Sequence, residues 1–533
     1  MNIITDVWIP VVFRSGETGT VAPSSLARLD DPPTRLAFAR ADWNLAGLEL
    51  LIGLTYLADP PIDSDDWRKR TGTHREEELA DRLAPLAPWF SLDASKGPRF
   101  LQDLEPLGGT VLPCERLCID TPGEKTVRDN GDLLVKRTPG LLLSRATAAI
   151  ALYAFQQFAP SGGAGNRTSM RGGGPMVTLV EPKAGASLMD IVWANVPNGR
   201  PLDPTDGAAV AAALPWTAPT RTSGSPNSKI HEPESNSDAP CAQVYFGMPR
   251  RIRVEFGDKS AHCALTGISD DRPAVGFRQL KHGPDYGQWT HPSTPYYRMK
   301  QGAEALAVHP KAGRFGYRQY RGIVLKDHGS NLRTRAACVE TYERERDDRR
   351  EPARLIVGGW AMDNMKALDF VLSAEPAPLS SLSELAEGRV VRAIEGAEII
   401  AGNLSIALKN ALGVEPKATD VVSSIRRRFY VDSDDAFRKL LRTLTNDPDD
   451  LTATDLWRKA LLRIALAFFD GSTRDLVPIV APERAREILD ARRLILVSGT
   501  GYSKSGEKLF GLLDLTLPEK KGKKPKDTEM MKA

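Results

Sequence analysis

The sequence predicts an α+β protein in which a large mixed N-terminal domain precedes a C-terminal four-helix bundle. Up to about residue 365, short apolar runs with strand-like alternation are interspersed with helical ones. Beyond that point, four stretches in succession carry apolar residues at i, i+3 and i+4, a spacing typical of amphipathic helices in a bundle. We therefore assign 1–365 to the mixed domain, 366–517 to the helical bundle and 518–533 to a disordered, lysine-rich tail.

Local patterns predict the individual elements of the mixed domain. Alternation over 2–13 predicts a strand, and Asn44 is suited to cap a helix that runs to about Leu57. Further along, the patterns predict a buried helix over 141–158, a glycine-rich loop over 160–175, a strand over 176–180, a structureless connection over 215–240 and a strand within 243–256. In the bundle they predict helices over 383–412, 434–446, 453–469 and 482–495.

Composition excludes several classes of protein. Hydrophobic residues make up 41% and charged residues 26%, the balance of an ordinary soluble globular protein. Five cysteines are too few and odd in number for a disulfide framework, so we expect a reducing, cytoplasmic location. The N-terminus lacks the basic n-region of a signal peptide. The most apolar stretch, 45–58, contains Glu49 and is shorter than the ~20 residues that a membrane span needs, so no membrane partner is expected.

Catalytic motifs are absent from the sequence. It contains no HExxH, no GxSxG and no GxxxxGK[ST] motif. Cys114 and Cys118 form a single CxxxC, whereas a structural zinc site normally needs four ligands, so core or surface cysteines are the simpler interpretation. We expect a chain that is not an enzyme and that holds no metal or other cofactor.

The positive charge is concentrated between Phe277 and Arg335. This segment holds eleven Lys and Arg against three acids, and eight aromatic residues are interleaved with them. Cations neutralise phosphates and aromatic faces stack on bases, so the pattern is typical of nucleic-acid binding. The alternative is that the aromatic residues are core and the cations belong to solvated faces.

Two further segments are candidates for nucleic-acid contact. The glycine-rich loop, flanked by Arg167 and Arg171, allows its backbone to approach a phosphate or groove closely, although a tight structural turn is an equal alternative. The run 356–368 contains paired glycines and predicts a turn with Asp363, Asn364 and Met365 at its exposed tip. An amide and a thioether suit a minor-groove wedge, and a helix N-cap at Asp363 or Asn364 is the alternative.

Taken in order, these pieces resemble the CasA family, the large subunit of the type I-E CRISPR Cascade complex. No single piece is specific, but the ordered set covers nearly the whole chain. The similar segments are WIPV at 8–11, RADWNLAGLELLIGL at 40–54, AIALYAFQQFAP at 149–160, RGGGP at 171–175, GMPRRIRV at 247–254, WTHPSTPY at 289–296, IVGGWAMDNMKA at 356–367 and RRRFY at 426–430.

The resemblance implies a non-catalytic subunit of an RNA-guided surveillance complex. Such a subunit recognises the protospacer-adjacent motif in double-stranded target DNA from the minor groove and wedges the duplex open, so that R-loop formation begins. The implied partners are the target DNA, the crRNA-containing Cascade subunits and a helicase–nuclease that is recruited after R-loop formation. In other RNA-guided effectors too, the protein recognises the short motif and the guide RNA recognises the target sequence by base pairing.

The resemblance also assigns DNA-binding roles to particular residues. The family's glycine loop falls on Gly162, Gly163, Ala164 and Gly165, its lysine finger on Lys281, and its glutamine wedge on Asp363, Asn364 and Met365. A loop that touches DNA and the crRNA 5′ region corresponds to 125–138, with Lys136 and Arg137 as the candidate contacts.

This sequence departs from the family pattern at three points. Asn364 stands where the family has the wedge glutamine, Ala164 interrupts the glycine loop, and the zinc-binding CxxC pairs of some members are missing. Two other functions are kept as alternatives: a structural scaffold of a ribonucleoprotein that does not read DNA, and a metal-dependent nuclease.

Overall fold

The chain folds into two compact units. The computed structural model describes residues 1–132, 140–163, 165–224, 228–233, 240–287, 289–327, 332–346, 353–376, 382–413 and 420–519. The first unit comprises Met1–Phe315 and Gly322–Ser380, and the second comprises Gly316–Arg321 and Ser381–Ala533. The first combines helices with several small sheets and the second is helical, so the predicted α+β class is confirmed.

Helices of the first unit include a long, almost wholly buried one near the N-terminus. The helices are α1 Ala41–Ala58, α2 Ser64–Arg70, α3 Glu76–Leu83, α4 Glu124–Arg128, α5 Arg145–Phe158, α6 Leu188–Asn195, α7 Gly207–Ala213 and α8 Ala337–Thr341. The predicted cap at Asn44 is wrong, because α1 begins at Ala41. The Asn44 side chain instead accepts a hydrogen bond from the Phe38 N–H and donates to the Phe38 and Arg40 carbonyls.

Strands of the first unit form several sheets of two or three strands each. They are β1 Ile9–Phe13, β2 Thr18–Val21, β3 Pro33–Leu36, β4 Val177–Glu181, β5 Lys229–Ile230, β6 Arg251–Phe256, β7 Ala261–His262, β8 Ser269–Asp270, β9 Ala274–Leu280, β10 Asp285–Tyr286, β11 Tyr296–Tyr297, β12 Leu306–Ala307, β13 Arg333–Thr334, β14 Arg354–Asp363 and β15 Lys366–Pro376. The connection at 215–240 is not wholly structureless, since β5 pairs in parallel with β10.

One antiparallel sheet, in the order β15-β14-β4, contains the hairpin formed by β14 and β15. Strands β14 and β15 pair from Arg354 opposite Pro376 to Asp363 opposite Lys366, with a register shift between Ala361 and Met362. The domain boundary predicted between 365 and 366 falls inside this hairpin. The first unit instead continues to Ser380, because the second strand of the hairpin is hydrogen-bonded to the first.

Beside that sheet, α5 and the antiparallel pair β6–β9 support the loops of the site. Helix α5 begins at Arg145, where the Ser144 hydroxyl accepts a hydrogen bond from the Thr147 N–H, so the helix starts four residues later than predicted. It ends at Phe158 and leads directly into the glycine-rich loop. Strand β9 ends at Leu280, immediately before Lys281.

The second unit contains four long helices where the apolar spacing predicts them, followed by a shorter one. The second of the four begins at Asp420, well before the predicted start at 434. The helices are α9 Glu384–Leu412, α10 Asp420–Asn446, α11 Leu451–Thr473, α12 Pro482–Thr500 and α13 Lys504–Leu512. Residues Gly316–Arg321 pack with them: the Tyr317 ring stacks on Phe437, with centroids 4.4 Å apart, and meets Trp457 edge-on at 5.5 Å. Most of the predicted tail lies outside the described residues. Among the helices that the structure describes, none combines the length and the apolar character needed to cross a membrane.

Candidate nucleic-acid interface

The glycine loop lies directly against the residues that follow β9. The backbone N–H of His282 donates a 2.6 Å hydrogen bond to the Gly165 carbonyl. Gly163 and Gly165 have φ of +91° and +82°, in the left-handed region that side chains disfavour. A Cβ atom on Gly165 would also lie only 3.0 Å from the Cβ of Lys281. Both backbone conformation and space therefore require glycine at 165; Ala164 lies outside the described residues.

Asn166 connects the loop to β9 through its side chain. Its Nδ2 donates to the Gly162 carbonyl at 2.8 Å, and its Oδ1 accepts from Nε2 of Gln279 at 2.9 Å. These bonds hold the backbone of the loop in register with the strand that presents Lys281. The Lys281 side chain is exposed and lines the cleft described below. The position of Asn166 was visible in the sequence, but nothing local there indicated its partner Gln279.

The hairpin of β14 and β15 turns through two residues. Asn364 and Met365 both have positive φ, +46° and +66°, and Asp363 pairs with Lys366 across the turn. Two consecutive residues with positive φ are typical of the type I′ turn, whose twist matches that of the flanking strands. Asp363, Asn364 and Met365 are all exposed, Met365 by 57%. The predicted exposed tip is confirmed, and the alternative of a helix N-cap is wrong.

One cleft of about 810 Å³ brings these predicted elements together. Gly162 and Gly163 line it from the glycine loop, Lys281 from the end of β9, and Met365 from the hairpin tip. These residues are separated by up to 203 positions in the sequence, so their meeting is a property of the fold. Polar residues that also line the cleft include the cations Arg116, Lys125, Arg250 and Lys366, the amides Asn166 and Gln279, and the acids Asp120, Glu124 and Asp132. The sequence indicated none of these residues as a candidate DNA contact, although Lys125 and Asp132 belong to the predicted contact loop at 125–138.

The predicted contact loop at 125–138 is only partly described. Helix α4 and the residues around it border the cleft, through Lys125, Thr126, Gly131 and Asp132 among others. The candidate contacts Lys136 and Arg137 lie outside the described residues. What the structure shows is that the segment leading to them lies beside the glycine loop.

The two arginines that flank the glycine loop are structural, contrary to the phosphate-binding hypothesis. Arg171 is buried and makes a bidentate ion pair with Glu49, at 2.8 and 3.0 Å. Burial alone would lower the pKa of Arg171, but the Glu49 carboxylate raises it. Arg167 bonds to Ser223 and lies 3.3 Å from the Asp285 carboxylate. Neither guanidinium is therefore available as a free cation at the loop.

The aromatic residues of the basic segment are mostly core, so the base-stacking hypothesis is wrong for them. Six of the eight are buried: Phe277, Trp289, Tyr296, Phe315, Tyr317 and Tyr320. Five of the cations bind carboxylates within their own unit: Arg278, Arg318, Arg321, Lys326 and Arg335. The alternative given by the sequence, core aromatics with cations on solvated faces, describes the segment better. Lys281 is distinctive because it is exposed and lines the cleft.

The cysteine pair shows no sign of special chemistry. Cys114 is buried and Cys118 half-buried, and both are free thiols. Burial raises the pKa of each to about 12, so both remain protonated at neutral pH. Within the described ranges, no three His, Cys, Asp or Glu side chains are grouped as metal ligands would be.

Comparison with known proteins identifies the family. Residues 2–468 match the family model of CRISPR-associated protein Cse1. The fold is similar to that of Thermus thermophilus CasA (Cse1), with 20% identity, a TM-score of 0.66 and coverage of 93% of this chain and 99% of the other. Thermobifida fusca Cse1 matches with 18% identity, a TM-score of 0.68 and coverage of 96% and 98%. A chain of a CRISPR RNA-guided surveillance complex matches with 15% identity, a TM-score of 0.66 and coverage of 93% and 99%. The match of the family model over most of its length shows that this chain belongs to the CRISPR-associated protein Cse1 family.

Proposed function

We propose that this chain recognises a protospacer-adjacent motif in double-stranded DNA from the minor groove and wedges the duplex open. It does so as a non-catalytic subunit beside crRNA-containing Cascade subunits in the cytoplasm, and it helps to recruit a helicase–nuclease once an R-loop has formed. The observation that supports the proposal is the shared cleft, which Gly162, Gly163, Lys281 and Met365 line together.

Each element of the cleft supplies a different interaction with a duplex. The glycine loop has no side chains at Gly162 and Gly163, so its backbone groups approach a groove closely. Lys281 provides a mobile cation with three hydrogen-bond donors for base-edge acceptors or phosphates. Because the minor groove displays a degenerate acceptor pattern, a reader of this kind accepts several related motifs.

The hairpin tip supplies the wedge. Its two-residue turn is closed by the Asp363–Lys366 pair, with a bulge between Ala361 and Met362 just behind it. Asn364 and Met365 are therefore presented at the end of a paired hairpin. Separating two stacked base pairs costs a few kcal/mol, which phosphate contacts offset. Asn364 is one methylene shorter than the family's glutamine, and the exposed Met365 thioether beside it provides apolar surface for insertion.

The partner proposal is supported by the likeness to a chain of an RNA-guided surveillance complex. The alternative is a scaffold that joins other subunits without touching DNA. In favour of that alternative, five cations of the segment 277–335 bind this chain's own carboxylates. The cleft favours DNA reading, since a scaffold does not require a glycine loop, a free lysine and an exposed tip to meet.

Reconstitution distinguishes the two functions. The affinity of the purified complex is measured with and without this chain, for duplexes that differ only in the motif beside the guide-matched site. We expect discrimination between motifs to vanish without the chain and to return when it is added. Equal discrimination in both samples would contradict DNA reading and leave the scaffold function.

A further inference from the structure

A buried arginine lies at the cleft directly under the glycine loop. Arg250 precedes strand β6, is only 4% exposed and lines the cleft. Its Nη2 donates to the Pro160 carbonyl, and its guanidinium lies 5.3 Å from the centre of the Phe155 ring. Its Nη1 would be 3.2 Å from a Cβ atom on Gly162. The absence of a side chain at Gly162 therefore leaves room beside this guanidinium.

The positive charge of Arg250 has no carboxylate partner among the described residues. Its Nε is buried without a hydrogen-bond partner there. Burial, with no acid to oppose it, lowers the pKa of Arg250 to about 10. Two other buried arginines of the same unit, Arg171 and Arg335, differ in this respect, because Arg171 binds Glu49 and Arg335 binds Glu340. An unpaired buried cation is costly unless an anion binds beside it.

We infer that Arg250 is an anion-binding group of the cleft and takes a backbone phosphate of the duplex beside the glycine loop. The inference rests on the proposed function and adds to it a contact with the DNA backbone that does not depend on the motif. A guanidinium with a fork of N–H donors matches phosphate geometry. Since every nucleotide carries a phosphate, the contact strengthens binding to all duplexes and does not choose between motifs.

Arg346 offers a matched control for this inference. It too is 4% exposed, has a buried Nε without a described partner, and has a pKa lowered by burial to about 10. Its guanidinium lies 5.2 Å from the Trp67 ring centre and donates to the Val196 carbonyl. It is not among the residues that line the cleft. Replacing either arginine by Met removes the same kind of buried charge, at the cleft or away from it.

The test uses the assembled complex containing wild type, Arg250→Met, Arg250→Lys or Arg346→Met. Affinity for accepted-motif and rejected-motif duplexes is measured between about 50 and 200 mM salt, and only samples that remain folded by circular dichroism are compared. For Arg250→Met we expect about tenfold weaker binding to both duplexes and a slope of log affinity against log salt that is shallower by about 0.9. Arg250→Lys keeps the charge and restores the slope, and Arg346→Met behaves as wild type.

Three results would overturn the inference. An unchanged salt slope in Arg250→Met would show that no phosphate contact was lost. A loss confined to the accepted motif would make Arg250 a support of the glycine loop. If the variant chain assembled more weakly with the RNA-containing complex but bound DNA normally once assembled, Arg250 would contact a phosphate of the guide RNA and not of the duplex. The proposed function fails on a different result, namely a complex that discriminates between motifs equally well with and without this chain.

Discussion

The hydrogen bond from the His282 N–H to the Gly165 carbonyl, 2.6 Å long, ties the glycine loop to the residue that follows Lys281. Through it, two elements that are far apart in the sequence share one backbone contact. A displacement of either element is therefore transmitted to the other. On this account the glycine loop and the lysine act on DNA as one surface.

Replacing Gly165 by alanine should disrupt this surface. The new Cβ would lie 3.0 Å from Lys281 Cβ and 3.1 Å from His282 Cε1, at a φ of +82°. We expect unfolding free energy to fall by about 1–3 kcal/mol because of the backbone strain and motif discrimination to fall severalfold. Gly185→Ala is the control, since Gly185 also has positive φ but has open space around its Cβ position and lies outside the cleft. Equal discrimination in the two variants would contradict the coupling.

Replacing Met365 by glycine should separate stability from function. Met365 has φ +66°, which glycine adopts without steric cost, so we expect thermal stability to be unchanged or to rise by up to about 1 kcal/mol. Duplex opening beside the motif, followed by 2-aminopurine fluorescence, should slow because the thioether is gone. Leu372→Ala, on the same hairpin but away from the tip, should open DNA at the wild-type rate. Wild-type opening by Met365→Gly would exclude the thioether as part of the wedge.

The Glu49–Arg171 pair should stabilise the first unit without contributing directly to DNA contact. Removing one member leaves an uncompensated buried charge, so Glu49→Gln should lower the unfolding free energy by about 3–5 kcal/mol. The double variant Glu49→Leu with Arg171→Met should recover part of that loss, because neither charge remains. Denaturant unfolding of the three proteins measures both effects. A loss below about 1 kcal/mol in Glu49→Gln would contradict this assignment.

His74 should make stability depend on pH. Its burial, together with the nearby Arg70 cation, lowers its pKa to about 4, from the usual 6.5. Between these values the unfolded chain binds a proton that the folded chain does not, so stability should fall as the pH drops from about 6.5 towards 4. His74→Gln should make this fall shallower in unfolding curves measured across that interval. An equal fall in variant and wild type would show that His74 does not contribute.

Local patterns predicted the elements whose causes are local. The apolar character of α1 and the spacing of the bundle helices come from neighbouring residues. The exposed tip at Asn364 and Met365 was predicted from paired glycines, but Gly358 and Gly359 lie within β14 and the turn comes after them. The start of α1 was predicted wrongly because Asn44 bonds back to Phe38 and does not cap the helix. Even these local predictions missed some boundaries, since α10 begins at Asp420 and not at 434, and β1 covers only Ile9–Phe13 of the strand predicted over 2–13.

Partners that are distant in the chain could not be predicted. The sequence around Arg171 does not indicate that Glu49, 122 residues earlier, forms an ion pair with it. In the same way, the sequence around Tyr317 does not indicate that its ring stacks on Phe437. These contacts explain why Arg171 and Tyr317 belong to the core and are not DNA-contacting residues. Arg250 was visible inside GMPRRIRV, but its lack of a carboxylate appears only when its surroundings are known.

The glycine loop, Lys281 and the hairpin tip should act on DNA as one motif reader. A double-mutant cycle tests it most directly: the ratio of affinities for accepted and rejected motifs is measured for wild type, Lys281→Ala, Met365→Ala and the double variant. We predict that each single change lowers the ratio and that the double variant loses clearly less than the product of the two losses. Independent, multiplicative losses, or an unchanged ratio in either single variant, would contradict the claim.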